Sequence, residues 1–431
     1  MRIRLARVAS PASATFLALQ LIVLTILLIS HVASAAQLPE TVIRSFGTGP
    51  GGTTCTSSVD GAVPKGSLTF ANGFLFGRTT TTTASTPGDG IIFHVDPDGN
   101  GYDIDHVFTG AKPDGNNPRH SAMTLDGMVL YGTTLIGGKH DNGTIFSIKD
   151  DGSSYSGPLL DFQASSAGNN GDQPHSCFAL NSASGLLYGM TSQGGTHGGA
   201  TGDGTIFSFD PSTSAYTRLF SFDGTKRGAD PHGEPILDPN GATLYGMTRE
   251  GGKKNVGVIF SYNTASNAFK TLHSFTCPKN AVPGCISKKD GASPDHGNLV
   301  QSGGTLYGLT TFGGKFGAGV AFSILTTGKK FKVLHSFGKA GSNDGQHPYG
   351  SLLLVGTTLY GTTRDGGKLN LGTAFQINTD GSAFARIHDF SGKPDGANPI
   401  DNVILVGGSL YGMTTVGGKC DFGAIFAIQL P

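Results

Sequence analysis

The sequence predicts an all-β fold, a β-propeller with seven blades, from three observations. Glycine accounts for 68 of the 431 residues, whereas glutamate, a helix-forming residue, occurs only at positions 40, 234 and 250. One phrase recurs seven times at intervals of 51 to 62 residues. Short segments rich in Ile, Val, Phe, Tyr and Thr alternate with turns rich in Gly, Asp, Asn and Pro. Four strands in each repeat of this length are typical of propeller blades.

Each repeat contains four segments, which we name strands a to d in chain order. Strand a is a short apolar stretch such as residues 351–354, and strand b is the phrase Leu-Tyr-Gly-x-Thr. Strand c is Gly-x-Ile/Ala-Phe with a following apolar position, and strand d is a short run ending in Phe. Strand b begins at Leu75 (an altered copy, Leu-Phe-Gly-Arg-Thr), Leu130, Leu187, Leu244, Leu306, Leu359 and Leu410. Strand c begins at Gly90, Gly143, Gly204, Gly257, Gly319, Gly372 and Gly423.

The two ends of the repeat array predict how the ring closes. A single d-type strand at about residues 41–46 precedes the first repeat, and the seventh repeat ends with its strand c. We therefore expect the N-terminal strand to complete the last blade, which removes the exposed strand edges of an open sheet. An open solenoid would instead carry atypical capping repeats at both ends. Residues 37–431 are predicted to form this one propeller.

Residues 1–36 have the pattern of a secretory signal peptide. Arg2, Arg4 and Arg7 precede an apolar run at 16–29, and an Ala-x-Ala-like cleavage site follows at 33–35. The run is shorter than the roughly 20 residues that span a bilayer. We expect an extracellular or periplasmic monomer with no membrane span in the mature chain. Its net charge would fall from 0 to −3 on cleavage, which argues against nucleic-acid binding.

The phrases LYGTT, GGK, GTIFSI and LHSF together resemble the GloVer (Gloeo_Verruco) tandem repeat of bacterial secreted proteins. The resemblance covers essentially the whole mature chain, and the paired glycines after strand b also resemble kelch blades. It implies an exported protein, and surface anchors are common in the group, but this chain shows no C-terminal anchor. It implies no particular chemistry.

The loops on one face of the disc supply the candidate binding residues. The d–a and b–c loops share a face in a four-stranded blade, and their repeated Asp-Gly and Gly-Gly-Lys motifs are interpreted as turn-forming scaffold. Positions just after the loop proline differ between blades and lie at the channel mouth, so they form either a ligand or metal site or only a polar rim. The four histidines among these positions are more than 50 residues apart, which is unlike the close ligand spacing of structural zinc sites, and we predict no metal or cofactor. The ligand-binding candidates are Lys65, Arg119, His120, His175, His232, His296 and Tyr349.

Other histidines and one acidic motif are interpreted as scaffold. Residues 96–101 match the start of a calcium loop, but Val107 stands where the bidentate Glu is required, so we predict a c–d turn. Histidines on the outer d strands are predicted to be structural: His106, His273, His335 and His388.

Few residues of the sequence indicate catalysis. Glu234 and Glu250 are weak candidates for a glycosidase-type acid/base pair, and no nucleophile elbow or phosphate loop is present. We expect a non-catalytic binding protein for an extracellular glycan or an envelope protein. A polysaccharide-active hydrolase and a purely structural surface module are the alternatives.

Five cysteines in an exported chain predict disulfides and one remaining thiol. Cys277 and Cys285 flank a short insertion and could form a local bridge. Cys55 and Cys420 lie on the same face of the last blade, where a bond would attach the N-terminal strand to the ring. Cys177 would then be the remaining thiol, near the channel mouth.

Overall fold

Seven antiparallel sheets of four strands make up the structure. The computed structural model describes residues 37–49, 55, 60–83, 86–120, 122–163, 170–197, 202–276 and 290–431. Strands and turns are the regular elements throughout these residues. The fold is therefore the predicted all-β propeller with seven blades.

The strands are numbered in chain order. The N-terminal strand is β1 (Glu40–Ser45). Blade 1 contains β2 (Thr69–Ala71), β3 (Phe74–Thr83), β4 (Thr86–Val95) and β5 (Asp103–Val107). Blade 2, with its loops, contains β6 (Gly115–Asn116), β7 (Thr124–Asp126), β8 (Val129–Thr134), β9 (Ile136–Gly137), β10 (Thr144–Lys149) and β11 (Ser156–Asp161). Blade 3 contains β12 (Ala179–Asn181), β13 (Leu186–Thr191), β14 (Thr205–Asp210) and β15 (Ala215–Ser221).

The remaining blades follow the same plan. Blade 4 contains β16 (Ile236–Leu237), β17 (Thr243–Thr248), β18 (Val258–Asn263) and β19 (Ala268–Ser274). Blade 5 contains β20 (Gly291–Ala292), β21 (Val300–Ser302), β22 (Thr305–Thr310), β23 (Phe312–Gly313), β24 (Val320–Leu325) and β25 (Lys332–Ser336). Blade 6 contains β26 (Gly345–Gln346), β27 (Leu353–Val355), β28 (Thr358–Thr363), β29 (Asp365–Gly366), β30 (Thr373–Asn378) and β31 (Ala385–Asp389). Blade 7 contains β32 (Gly396–Ala397), β33 (Ile404–Val406), β34 (Ser409–Thr414), β35 (Val416–Gly417) and β36 (Ala424–Gln429).

The N-terminal strand closes the ring. The sheet of blade 7 has the order β1-β36-β34-β33, and β1 pairs antiparallel with β36 with Thr41 opposite Ala427. The predicted strand at about 41–46 is thus confirmed within one residue at each end. A disulfide between Cys55 and Cys420, with Cα atoms 5.4 Å apart, joins the chain just after this strand to the b–c loop of blade 7.

The core lies between blades. The buried apolar residues form seven clusters, and each cluster combines side chains of two neighbouring blades. At every interface the Phe that ends strand d packs edge-to-face on the strand c Phe of the next blade, with ring centroids 5.0–5.9 Å apart. Phenylalanine therefore fills the inter-blade space in a chain that has no tryptophan.

The glycine of the Leu-Tyr-Gly phrase is explained by this packing. In each blade that glycine pairs with the strand c Phe across the sheet, as Gly246 does with Phe260. A Cβ at the glycine would lie 2.3–2.7 Å from the phenylalanine ring in all seven blades. The repeat thus keeps glycine because the aromatic ring lies directly over the backbone.

The glycine that begins strand c connects neighbouring blades. Gly319 has a φ of +102°, and a Cβ there would lie 2.4 Å from the Thr310 carbonyl oxygen and 2.7 Å from Pro348 of the next blade. We expect Gly319→Ala to lower the free energy of unfolding by about 2–4 kcal/mol, because it combines left-handed strain with a backbone clash. Gly304→Ala is the matched control, because no atom lies within 4 Å of its added Cβ. Equal denaturant midpoints for the two variants would contradict this explanation.

Glu40, on β1, gives the fold a pH dependence. Burial, together with the nearby Asp395 carboxylate, raises its pKa from 4.5 to about 7. A carboxyl with a raised pKa favours folding while it is protonated, so its contribution is present below about pH 4.5 and is lost as the pH rises through 7. Relative to wild type, the Tm of Glu40→Gln should therefore increase between pH 4.5 and pH 8. A pH-independent difference in Tm would contradict the assignment.

Candidate functional site

The d–a and b–c loops lie on one face of the disc, as predicted. In every blade a residue of the d–a loop pairs antiparallel with the start of the b–c loop, as a two-stranded sheet or an isolated bridge. The residue before each loop proline has a left-handed φ of 47–59°. Its N–H donates to a b–c loop carbonyl of the preceding blade, as Asp230 does to Asp203. Its own carbonyl accepts from the b–c loop of its own blade, as Asp230 does from Arg249. The positions after the proline are thus held at a fixed place in each blade.

These loops surround a cavity of about 730 Å³ at the centre of the face. The structure places all seven binding candidates from the sequence in its lining, although they come from six different blades. The lining contains Lys65, Arg119, His120, His175, His232, His296 and Tyr349, together with Gln173, Ser192, Gln193, Asp230, Arg249, Asp295, Arg364, Asn398, Ile400 and Thr415.

Four histidines form a stacked cluster on one side of the cavity. The ring of His175 lies 3.9 Å from that of His232 with an interplanar angle of 4°. His120 lies 3.7 Å from His296, and His232 lies 5.1 Å from His296, measured between ring centroids. The four histidines come from the four consecutive blades 2 to 5, so the packing of blades around the ring brings residues that are distant in sequence together.

His232 is the charged member of the cluster. Its Nδ1 lies 2.9 Å from Asp295 Oδ1 and its Nε2 lies 2.8 Å from Asp230 Oδ1. Burial acts to lower the pKa of His232, but the two carboxylate hydrogen bonds outweigh it and raise the pKa. Arg249 closes this group, with Nη1 3.0 Å from Asp230 Oδ2. The two carboxylates of the cavity are therefore already neutralised by protein cations.

The other three histidines are neutral at pH 7. Burial, with the like charges of neighbouring histidines and Arg119, holds the pKa values of His120 and His175 well below their usual range. Burial lowers the pKa of His296 to about 3, although Asp295 acts in the opposite direction. The Nδ1 atoms of all three are buried without a hydrogen-bond partner among the described residues. These rings thus contain unprotonated nitrogens inside the protein.

Lys65 and Arg119 form the cationic side of the cavity. Burial, followed by the adjacent Arg119 charge, lowers the pKa of Lys65, and burial lowers the pKa of Arg119. Within the described part of the chain neither side chain forms an ion pair, and the Arg119 Nε is buried without a hydrogen-bond partner. The charge of Asp401 acts in the opposite direction on the pKa of Lys65 without outweighing these effects. Two neighbouring buried cations that form no ion pair are unfavourable unless a ligand supplies further negative charge.

The wall of the cavity that blade 6 forms presents a tyrosine and an arginine. Arg364 donates from Nη1 to the Tyr349 hydroxyl at 3.1 Å, and its guanidinium lies 5.1 Å from the centroid of the same ring. Asp365 pairs with Arg364 through Nε at 3.2 Å. This wall therefore offers an aromatic face and donors that are already positioned by protein contacts.

The two glutamate candidates do not line the cavity. The Glu234 carboxylate accepts a hydrogen bond from the Asn298 side-chain amide, and the Asn298 Oδ1 accepts from the Glu234 N–H, so Glu234 joins two blades. Glu250 lines a pocket of about 270 Å³ with Asn255 and Phe312, and this pocket adjoins the cavity because both are lined by Arg249, Asp295 and Tyr349. The described structure thus gives each glutamate different surroundings.

The histidines of the outer d strands pair with the d–a loop aspartates. His273 and His335 each lie 3.0 Å from a carboxylate, Asp290 and Asp344 respectively. Corresponding pairs are His106 with Asp114 at 3.6 Å and His388 with Asp395 at 3.3 Å. The aspartates also accept backbone N–H groups of their own loops. These contacts agree with the scaffold interpretation.

The calcium-like motif at residues 96–101 forms the c–d hairpin between β4 and β5. The Asn100 N–H donates to the Asp98 carboxylate at 3.0 Å, and the Gly99 N–H donates to the Asp96 carbonyl. The turn interpretation is therefore consistent with the hydrogen bonds.

The cysteine predictions have separate outcomes. The Cys55–Cys420 disulfide is confirmed. The proposed Cys277–Cys285 pair lies outside the described residues. Cys177 is a buried thiol whose sulfur lies 3.5 Å from the Arg78 guanidinium.

Several residues of the site were missed from the sequence. Arg78 is fully buried in β3 and donates to the carbonyls of Thr133 at 3.1 Å and His120 at 2.7 Å. It occupies the variable position of the Leu-Tyr-Gly-x-Thr phrase, where other blades have Thr, Met or Leu, and this departure was the available signal. Asp295 results from one extra residue in the blade 5 loop, and Arg249 and Arg364 follow strand b in blades 4 and 6 only.

Comparison with known protein families agrees with this repeated architecture. The sequence profile of the Gloeobacter/Verrucomicrobia repeat matches residues 48–198, 164–353 and 285–431. The chain belongs to the Gloeobacter/Verrucomicrobia repeat family. No curated protein matches this repeat protein in sequence.

Solved structures share the fold of the Gloeobacter/Verrucomicrobia repeat protein at low identity. The extracellular domain of a hybrid two component system from B. thetaiotaomicron is 13% identical with a TM-score of 0.52, and the match covers 90% of this chain and 39% of that one. The GH74 enzyme of Niastella koreensis is 13% identical with a TM-score of 0.49, over 85% and 52% of the two chains. The repeat protein has, among its described residues, no helix long and apolar enough to span a bilayer.

Proposed function

We propose that this chain is an exported, non-catalytic binding module whose loop-face cavity binds an acidic glycan. The observation that supports this most strongly is the pair Lys65 and Arg119, two adjacent, largely buried cations that form no ion pair in the described structure, with only the charge of Asp401 acting against them. A uronate carboxylate would supply the missing negative charge through charge-assisted hydrogen bonds.

The rest of the lining fits a sugar ring next to that carboxylate. Tyr349 offers an aromatic face, and the side-chain amides of Gln193 and Asn398 offer carbonyl acceptors for hydroxyl groups, while their NH₂ groups donate to protein partners. The cavity volume of about 730 Å³ is in the range of small-ligand sites and suits a short oligosaccharide. The Cys55–Cys420 disulfide and the N-terminal signal-like segment favour an oxidising compartment outside the cytoplasm.

The test is binding of the processed chain, residues 37–431, to a panel of acidic and neutral polysaccharides, with analysis of the eluate for cleavage products. We expect saturable binding to uronic-acid polymers, weakening with salt, and no cleavage. The Lys65→Gln/Arg119→Gln double variant should bind at least about 10-fold more weakly, because two charge-assisted contacts are lost.

Lys139→Gln/Lys253→Gln is the matched control, because these exposed b–c loop lysines lie outside the cavity lining. Equal binding of acidic and neutral polymers, or equal affinity of the two double variants, would contradict the proposal. Cleavage products would favour the hydrolase alternative, and absence of any binding would favour a protein partner or a structural module.

A further inference from the structure

The histidine cluster contains a second arrangement that the anion site does not use. One ring nitrogen from each of His120, His175 and His296 lies within 4.8 Å of the other two. The three side chains are buried or nearly so, and their Nδ1 atoms have no hydrogen-bond partner among the described residues. Buried polar atoms are normally paired, so three unpartnered nitrogens at one place require an explanation.

We infer that His120, His175 and His296 bind a divalent transition metal ion of the zinc type. Imidazole nitrogens are preferred ligands of zinc, copper, nickel and cobalt, and three histidines are a known zinc ligand set. Tetrahedral ligands about 2.0–2.1 Å from zinc lie about 3.4 Å apart, so the three nitrogens need to approach one another by at most about 1.4 Å. Rotation of the stacked rings about their side-chain bonds would achieve this.

Carboxylates lie beside two of the three rings. His120 Nδ1 is 4.0 Å from Asp401 Oδ1, and His296 Nδ1 is 3.7 Å from Asp295 Oδ1.

Metal-bound histidines generally donate their second ring N–H to such a partner. The Asp401 carboxylate, whose charge also acts on Lys65, offsets part of the repulsion that Lys65 and Arg119 would exert on a cation.

The experiment uses the processed chain with any affinity tag removed, stripped with chelator and dialysed. Titration with Zn²⁺ followed by mass-spectrometric metal analysis should give one ion per chain. Co²⁺ should give the visible absorption of a four-coordinate nitrogen-ligated ion. Ca²⁺ should not compete, because hard cations prefer oxygen ligands.

Variants connect the ion to these residues. His120→Gln, His175→Gln and His296→Gln should each weaken binding at least about 100-fold, and Asp401→Asn should weaken it about 10–100-fold. The control is His335→Gln, which removes an outer-strand histidine paired with Asp344 and should leave binding unchanged. Melting curves identify any variant that fails to fold, and the three independent ligand variants keep the test valid if one does.

Less than about 0.1 ion per chain at micromolar Zn²⁺, or equal binding by wild type and the three ligand variants, would overturn the inference. The Lys65→Gln/Arg119→Gln variant should still bind the ion. The inference of a metal site and the proposal of an acidic-glycan site can therefore be contradicted independently of each other.

Discussion

Replacing Cys420 by Ser is expected to lower the free energy of unfolding of the oxidised protein by about 5–6 kcal/mol, on the chain-entropy account of disulfide stabilisation. The disulfide joins residues 365 apart in sequence, so almost the whole ring lies within the closed loop. Breaking it gives the unfolded chain the entropy of an open polymer. In the folded state β1 would then be held to β36 only by its strand pairing and side-chain packing.

The measurement is the Tm of the oxidised protein, which should fall by roughly 5–8 °C for a domain of this size. Cys55→Ser should have the same effect, and the Cys55→Ser/Cys420→Ser double variant should melt no lower than either single variant. The Tm of the wild-type protein in reductant should approach the Tm of the variants. If the Cys420→Ser variant and the oxidised wild type had the same Tm, the disulfide would not stabilise the ring.

Arg78→Met should lower the free energy of unfolding by about 3–5 kcal/mol. Methionine is the residue that blades 3, 4 and 7 carry at this position, so the strand itself accepts it. Arg78, however, is only 1% exposed, and its guanidinium satisfies the carbonyls of Thr133 and His120 across the interface between blades 1 and 2. Methionine would leave both buried acceptors without this donor.

The measurement is urea unfolding of the variant beside Arg78→Lys, which keeps the charge. Arg78→Lys should recover part of the loss, because an ammonium group can donate to one or both carbonyls but cannot reproduce the planar guanidinium. Since Arg78 holds the His120 carbonyl, Arg78→Met should also disturb the histidine cluster, which a shifted His120 NMR resonance would reveal. An unchanged unfolding midpoint for Arg78→Met would show that the buried arginine contributes nothing to stability.

The fold was predictable from the sequence because the residue pattern of one blade occurs seven times. The Leu-Tyr-Gly phrase, the strand c glycine and the terminal Phe of strand d each have a local reason, namely a ring over the backbone, a left-handed turn or an inter-blade aromatic pair. Because six other copies keep the Leu-Tyr-Gly phrase, the altered copy Leu75–Thr79, with its arginine, is still recognised as a strand b. The position of the binding candidates at the channel mouth also followed from the blade plan.

The properties of those candidates did not follow from the sequence. The sequence by itself determined the seven blades, the closing strand and which loop positions face the channel, because strand pattern and turn chemistry are local. Only the tertiary structure decided that His232 lies between Asp230 and Asp295, that His120, His175 and His296 converge, and that Lys65 and Arg119 form no ion pair in the described structure. These contacts join residues from different blades, and burial and charge at such contacts depend on the distances that ring closure imposes.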